Sequence, residues 1–249
     1  MCTVVILRRP GQAWPLLIAG NRDEMNSRPW REPGRYWAEQ PQVVAGQDLS
    51  AGGTWQGLND CGLVATILNR AGTLGPQEGK LSRGELPLLA LAHRDAKSAA
   101  EAISGLDARQ YRPFNLLLAD ARYAFWIANK GEGCMLVQAV PEGLSMLTAH
   151  DLNDTRQSPR MAVNLPRFKA AEVPDPSLGD WRAWRELLAF SGEQPPNAER
   201  FDIRPDAMQI HSNIGFETVS SSLIAIPGDR HKKAQWLFNG GQGYRPVLG

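Results

Sequence analysis

LLIAGNRDEMNSRP, residues 16–29, runs from an apolar segment directly into charged residues. The apolar part, residues 16–19, predicts a short buried strand. Four polar residues follow this strand: Asn21, Arg22, Asp23 and Glu24. If the strand pairs with the apolar run at residues 2–7, a guanidinium and carboxylates come close to the thiol of Cys2. The alternative is a solvated turn with an internal salt bridge, which is the commoner fate of consecutive polar residues.

Similar short apolar runs recur along the chain and are separated by glycine, proline, asparagine and aspartate. They predict strands over residues 2–7, 16–19, 43–46, 54–58, 63–68, 114–119, 123–128, 135–140, 144–148, 222–226 and 234–238. Turn-forming pairs between neighbouring runs, such as Asn59-Asp60, indicate antiparallel hairpins.

Helical patterns interrupt the strand-like runs twice. Helices are predicted over residues 82–92, 95–103, 159–171 and 180–190. Residues 193–197, around Pro195-Pro196, predict a surface loop. The order of strands, helices, strands, helices and strands predicts one α+β domain over residues 1–249, with helices covering the sheets.

The bulk composition excludes several classes of partner. The 249 residues include 27 basic and 26 acidic ones, so the formal net charge of +1 supplies no field that gathers nucleic acid. No segment approaches the ~20 apolar residues of a membrane span, and no signal-peptide pattern is present. Cys2, Cys61 and Cys134 lack zinc-ligand spacing, so no metal site is predicted. We therefore expect a soluble cytoplasmic protein with a small-molecule partner, and the sequence leaves its oligomeric state open.

Cys2 becomes the first residue if the initiator methionine is removed. Its thiol and its free α-amine, whose ordinary pKa is about 8, then place a nucleophile and a base on one residue. No histidine is required for that chemistry. Arg22 could stabilise a thiolate or bind a substrate carboxylate, and Asp23 could orient the α-amine. The alternative is that Cys2 is a buried strand residue that behaves as a small hydrophobe.

Four ordered sequence blocks resemble the NRDE family, also called the Transport and Golgi organisation protein 2 family. They are MC at residues 1–2, NRDE at 21–24, GGTWQGLNDCGLVATILN at 52–69 and FNLLLAD at 114–120. The resemblance implies a fold like that of the N-terminal-nucleophile (Ntn) hydrolases. In that α+β fold, two antiparallel sheets lie between helix layers as a four-layer αββα sandwich.

The choloylglycine-hydrolase branch of that fold is similar at selected positions. The resemblance implies that Cys2 is the nucleophile and that Asn69 holds the oxyanion, with Arg22 and Asp23 beside them as catalytic residues. An amide aimed at a developing negative charge contributes a few kcal/mol to lowering a barrier. The chain departs from that pattern in three ways. The order of Arg and Asp is shifted by one residue, Ala149 stands where a second oxyanion asparagine is expected, and residues 217–221 lack a family arginine.

Four further residues are candidates for substrate binding: Asn21, Glu24, Trp55 and His150. Trp55 follows a glycine-permitted bend that lets a ligand approach, although a core aromatic is the simpler interpretation. His150 follows a predicted strand and could enter the mouth of the site, but a loop histidine more often has no specific role.

Three functions remain open from the sequence. The first is a hydrolase that cleaves a C–N bond of a linear or cyclic amide through Cys2 and needs no cofactor. The second, implied by the resemblance, is a non-catalytic protein that binds and transports haem. The third is a lipid- or acyl-CoA-related binding protein, for which Arg28, Arg31 and Arg35 form a candidate basic patch.

Overall fold

Two antiparallel β-sheets lie face to face in the computed structural model, which describes residues 2–192 and 204–248. The strands in this part of the chain are β1 (Thr3–Arg8), β2 (Leu16–Met25), β3 (Trp30–Gly34), β4 (Val43–Asp48), β5 (Gln56–Asn59), β6 (Val64–Asn69), β7 (Phe114–Ala119), β8 (Ala124–Asn129), β9 (Met135–Ala139), β10 (Gly143–Leu147), β11 (Phe216–Ile226), β12 (Gln235–Asn239) and β13 (Arg245–Pro246). One sheet has the order β10-β1-β2-β11-β12-β13, and the other runs from β3 to β9 in sequence order.

Helices cover the outer face of each sheet. They are α1 (Leu86–Leu91), α2 (Ala96–Ser104), α3 (Pro159–Ala170) and α4 (Arg182–Leu188). The first two pack on the β3–β9 sheet, and the last two pack on the sheet that contains β1 and β2. This arrangement confirms the predicted four-layer αββα sandwich. Within the described residues, no helix combines the length and apolar character needed to cross a membrane.

Strand alternation separates the core into layers, because successive side chains of a strand point to opposite faces. On β1, Val4 and Ile6 face the other sheet, whereas Val5 and Leu7 pack against α3 and α4. The run of apolar residues in β1 therefore reflects burial on both faces. The same rule decides which side chains of β2 face the space between the sheets.

Strand β2 is longer than the sequence predicts. It extends to Met25, so the Asn-Arg-Asp-Glu segment lies within the strand and not in a turn after it. Pairing with β11 continues along the polar segment, where Thr218 lies opposite Asp23 and Ser220 lies opposite Arg22 across a local bulge. The predicted end at residue 19 was wrong, because backbone hydrogen bonds to the neighbouring strands continue β2 through polar residues whose sequence does not indicate a strand.

Other boundaries differ for local reasons. The segment Trp30–Gly34 forms β3, which the sequence analysis missed; it contains Pro33, and proline is tolerated at a sheet edge. The helix predicted from residue 82 begins with a 3-10 turn at Arg83–Glu85, and the α-helix proper starts only at Leu86. The surface loop predicted at residues 193–197 lies outside the described residues.

Candidate active site

Cys2 lies at the start of β1, next to the polar half of β2. Thr3 pairs with Asn21, so continuing the antiparallel register by one residue brings Cys2 opposite Arg22. The Cys2 side chain is half-buried and packs at the edge of the core between the two sheets. Its Sγ donates a hydrogen bond to the main-chain oxygen of Asp23 at 3.6 Å. The predicted proximity of the thiol to the charged segment is therefore present, within a strand pair.

The environment of Cys2 favours the protonated thiol. Burial raises the pKa of the Cys2 thiol, and the nearby carboxylate of Asp23 raises it further, whereas the Arg22 guanidinium lowers it. The net direction is upward, so few thiolates are present near neutral pH. Nucleophilic attack by this thiol therefore needs a base that accepts its proton.

Arg22 is buried between aromatic rings. Its residue is only 7% exposed, and its guanidinium carbon lies 4.0 Å from the ring centroid of Trp55 and 5.8 Å from that of Trp30. Its Nη1 is buried and has no hydrogen-bond partner in the described part of the chain. Burial lowers the pKa of Arg22, while the charges of Cys2 and Glu24 oppose that shift. A buried donor without a partner is costly, and a ligand oxygen would satisfy it.

A glycine fixes the position of the Trp55 ring. A Cβ atom added at Gly46 in β4 would collide with the ring of Trp55, so the indole lies directly against the strand backbone. Trp55 is half-buried and lines a cavity with Cys2, which makes it a wall of the candidate site.

Asp23 points to the opposite face of β2, where residues of α3 and β11 bind its carboxylate. Its Oδ2 accepts a hydrogen bond from Arg160 Nη1 at 2.9 Å, and its Oδ1 accepts one from Thr218 Oγ1 at 2.6 Å. Arg160 Nη1 also donates to Thr3 Oγ1 at 2.8 Å. Both side chains of the Arg160–Asp23 ion pair are almost completely buried. Arg160 was not predicted from the sequence, since nothing marks an arginine at the start of α3 as a partner of a distant strand.

Asn21 lies on the same face as Asp23 and has a full set of partners. Its Nδ2 donates to the main-chain oxygens of Leu188 and Met208 at 2.9 and 2.8 Å, and its Oδ1 accepts from Ser221 Oγ at 2.8 Å. These bonds connect β2 to the helix layer and to β11. The substrate-binding role of Asn21 stays a prediction that this arrangement does not favour.

Glu24 lies near the end of β2 on the Arg22 side. Its carboxylate accepts a hydrogen bond from the main-chain N–H of Met25 and lies 3.9 Å from Arg28 Nε. Arg28 in turn pairs with Asp48 at 2.7 Å. Glu24 therefore adds negative charge close to Arg22, and its proposed contact with a substrate stays a prediction.

A cavity of about 20 Å³ lies beside the thiol, between the two sheets. It has room for about one water molecule or one carbonyl oxygen. Polar residues that contribute to its walls are Cys2, Thr3, Asn21, Arg22, Gln56, Thr66, Ser220 and Ser222. Of these, Gln56, Thr66, Ser220 and Ser222 were not predicted as site residues from the sequence. Their common signal is a polar side chain at an inward position of a central strand, which is visible only once the register is known.

Asn69 and His150 do not line this cavity. Asn69 ends β6 as predicted, but it pairs with Phe114, whose side chain packs under α1 and α2. Directly opposed residues point to the same face of a sheet, so the register directs the Asn69 side chain away from the inter-sheet space. His150 contributes its main-chain oxygen, which accepts a hydrogen bond from Asn115 Nδ2 at 2.8 Å. The oxyanion role of Asn69 and the binding role of His150 stay predictions that their positions do not favour.

The basic patch predicted from Arg28, Arg31 and Arg35 is not a free cationic surface. Arg28 is paired with Asp48, and Arg35 is paired with Asp60 at 2.6 Å. Arg31 Nη1 lies 3.4 Å from Gln47 Oε1, and its guanidinium lies over the ring of Tyr36.

A much larger cleft, of about 1040 Å³, opens at the other end of β11. Ile226 and the following turn contribute to it, as do Cys61 and His231. Its size is typical of a site for a small molecule.

The residues around Cys2 do not fit a haem group. Their cavity holds about one water, so a porphyrin cannot enter it without a large rearrangement. Across residues 2–192 and 204–248, no three His, Cys, Asp or Glu side chains are grouped so that they could hold a metal ion.

Comparison with known proteins decides the family. The sequence profile described as Transport and Golgi organisation 2 matches residues 1–171, which is more than half of the chain. The chain belongs to the Transport and Golgi organisation 2 family. This membership confirms the resemblance drawn from the four sequence blocks.

Curated relatives match over part of their length. The chain is 32% identical over 114 residues to the "Transport and Golgi organization protein 2 homolog" of Bos taurus and 30% identical over 131 residues to that of Homo sapiens. These matches cover 43% and 48% of this chain but only 40% and 46% of the relatives. The chain thus aligns with less than half the length of each curated relative.

Solved structures share the fold at low sequence identity. An orthologue of N-acylethanolamine-hydrolyzing acid amidase from Caenorhabditis elegans is 12% identical, with a TM-score of 0.56, and the match covers 90% of this chain and 92% of the other. Penicillin V acylase from Agrobacterium tumefaciens is 14% identical, with a TM-score of 0.52 and coverages of 98% and 84%. A cysteine-to-alanine mutant of conjugated bile acid hydrolase from Clostridium perfringens is 14% identical, with a TM-score of 0.55 and coverages of 99% and 92%. At these identities the likeness shows an Ntn-hydrolase fold.

Proposed function

We propose that the protein is an amide hydrolase in which Cys2, after removal of Met1, is the nucleophile. One observation carries the proposal: the thiol shares a small inter-sheet cavity with a buried guanidinium nitrogen that has no hydrogen-bond partner in the described part of the chain. A thiol beside an unsatisfied cationic donor is suited to bind and attack a carbonyl group.

The reaction follows from the groups on Cys2. Sγ forms a bond to the carbonyl carbon while the thiol proton passes to the α-amine of Cys2. The resulting ammonium returns that proton to the nitrogen of the substrate as the C–N bond breaks, and the amine leaves. Water then attacks the thioester, gives one proton to the α-amine, and releases the acid as sulfur leaves and regains that proton. The raised pKa of the thiol accords with this scheme, because a base on the same residue removes the proton only during attack.

Arg22 and Asp23 have different parts in the proposal. Arg22 lowers the pKa of the thiol and offers Nη1 to negative charge that develops in the cavity. Asp23 carries its charge on the other face of β2, where Arg160 and Thr218 fix it. From there its carboxylate stabilises the ammonium that forms when the α-amine of Cys2 accepts the thiol proton.

The names of the structural neighbours support the reaction class. They are described as an acid amidase, an acylase and a bile acid hydrolase. We extend only the reaction class to this chain, since the identities of 12–14% do not carry substrate specificity.

Release of amine from a panel of N-acyl amides and lactams tests the proposal. Protein lacking Met1 should release amine from at least one member, and the Cys2→Ala variant should lose this activity by about 10³-fold or more. Cys61→Ser provides a matched control, because Cys61 is an exposed thiol that does not line this cavity. Equal activity of Cys2→Ala and the unaltered protein would overturn the proposal.

The large cleft supports a second candidate function, the binding of haem without catalysis. We propose the cleft for it because the volume of about 1040 Å³ is sufficient and because His231 and Cys61, which contribute to the walls, are side-chain types that ligate haem iron. Titration with haemin should then produce a Soret shift at micromolar protein that His231→Ala or Cys61→Ser reduces. An unshifted spectrum, or a shift that both variants retain, contradicts this candidate.

A further inference from the structure

We propose that Gln56 supplies the side-chain amide that holds the oxyanion in the Cys2 reaction. This inference rests on the proposed hydrolase function. It assigns to β5 a role that the family resemblance gives to Asn69 at the end of β6.

The Gln56 side chain faces the space between the two sheets. Leu58, two residues further along β5, is part of the core between the sheets, so Gln56 points to the same face. The residue is 4% exposed and lines the cavity of about 20 Å³ that Cys2 lines from the opposite sheet. In a space that holds one water molecule, groups from the two sheets converge on a single bound oxygen.

Gln56 is also held in place before any ligand binds. Its main-chain N–H donates to Thr54 Oγ1 at 3.2 Å, and its main-chain oxygen accepts from the same hydroxyl at 3.0 Å. Its Nε2 donates to Thr66 Oγ1 at 3.1 Å, across the β5–β6 pair. Backbone and amide are therefore both fixed, which is what an oxyanion donor requires in order to act without reorganisation.

One N–H of the Gln56 amide remains available. Nε2 carries two hydrogens, and Thr66 is its single hydrogen-bond partner in the described ranges. The Thr66 hydroxyl can accept or donate, so either orientation of the amide leaves an N–H free for the cavity. Asn69, by contrast, pairs with Phe114 on the helix-covered face.

Two reactions at the same thiol separate an oxyanion donor from a structural residue. Acylation by p-nitrophenyl acetate passes through an oxyanion, whereas alkylation by iodoacetamide does not. Both rates are measured at Cys2 by mass spectrometry on full-length protein without Met1. Gln56→Met, which keeps the length of the side chain, should slow acylation about 10²–10³-fold and change alkylation less than about 3-fold. Gln138→Met, the same substitution on the exposed strand β9, is the matched control.

Two outcomes overturn the inference directly. Equal loss of both rates in Gln56→Met means that the residue only maintains the shape of the site. Slow acylation in Asn69→Ala, with normal acylation in Gln56→Met, returns the role to Asn69. If Gln56→Met does not fold, Thr66→Val, which removes the bond that fixes the amide, should slow acylation selectively, and unchanged acylation there counts against Gln56. If Cys2 of the unaltered protein is not acylated at all, the hydrolase proposal itself has failed.

Discussion

The two faces of β2 use one polar segment for two purposes. On the face toward α3 and α4, Asn21 and Asp23 have hydrogen-bond partners on other elements and fix the strand. On the face toward the other sheet, Arg22 is equally buried but its Nη1 has no partner within the described residues. Alternation along the strand thus separates the residues whose polar atoms are bound within the fold from the one that, in the proposed function, contacts a ligand.

This contrast implies different responses to mutation. Removing a residue from the helix-covered face breaks bonds that the folded state needs. Removing the Arg22 side chain breaks no side-chain hydrogen bond within the described ranges, so its effect should fall on the chemistry of Cys2. Substitutions on each face of β2 test this contrast.

Asp23→Ala should give the largest loss of stability. It removes the carboxylate from a fully buried ion pair and leaves the Arg160 guanidinium without that charge, which costs about 3–5 kcal/mol. Chemical denaturation followed by circular dichroism measures the change. Glu24→Ala is the control and should cost less than about 1 kcal/mol, because the Glu24 side chain is only partly buried and its carboxylate lies as far as 3.9 Å from Arg28. Similar losses in both variants would remove the distinction between the two faces.

Asn21→Ala should have an intermediate effect. The change leaves the buried main-chain oxygens of Leu188 and Met208 without their common donor, which costs about 1–3 kcal/mol. Ser221→Ala removes the bond to Asn21 Oδ1 and the bond to the Tyr244 hydroxyl, but it leaves no buried main-chain oxygen without a donor and should cost less. The same denaturation experiment compares them, and a larger loss in Ser221→Ala would contradict the assignment of partners.

Arg22→Met should change the free energy of unfolding by less than about 1 kcal/mol but should slow the reactions of the Cys2 thiol. Methionine can still pack on Trp55, and the buried Nη1 has no hydrogen bond to lose in residues 2–192 and 204–248. Without the guanidinium the pKa of the thiol rises, so alkylation by iodoacetamide at fixed pH should fall about 3–10-fold. Mass spectrometry of the Cys2 peptide measures the rate. An unchanged rate together with a large loss of stability would place Arg22 with the structural residues.

The raised pKa of Cys2 predicts a smaller effect on the pH dependence of stability. The unfolded thiol loses its proton at a lower pH than the folded one, so the free energy of unfolding should decrease as the pH rises from the ordinary thiol range toward the folded pKa. Cys2→Ser removes this titration. Denaturation curves at several alkaline pH values should therefore diverge between the two proteins, and parallel curves would contradict the direction of the pKa shift.

Much of the fold was predictable from local patterns, because buried strands appear as apolar runs and the helices as helical patterns between them. Asp95, for example, begins the helix predicted over residues 95–103, and its side chain caps α2. The polar half of β2 was not predictable, since backbone partners on β1 and β11 stabilise it there.

The candidate site was predictable only in part, because some of its residues come from elements distant in the sequence. Cys2 and Arg22 come together through the pairing of β1 with β2, and both strands appear in the sequence as apolar runs. Gln56 reaches the cavity from a distant part of the chain, and only the sheet register reveals that it points inward. Arg160 reaches the other face of β2 from α3, and only the packing of the helix layer reveals that contact.

The most direct test of the central claim compares two N-terminal forms of the same chain, one with Met1 and one without it. Each is treated with p-nitrophenyl acetate, and hydroxylamine-labile acyl groups are mapped on Cys2, Cys61 and Cys134. We predict a thioester on Cys2 that forms and hydrolyses rapidly only when Met1 is absent. Labelling of the exposed Cys61 and Cys134 in preference to Cys2 in both forms would contradict the assignment of Cys2 as the nucleophile.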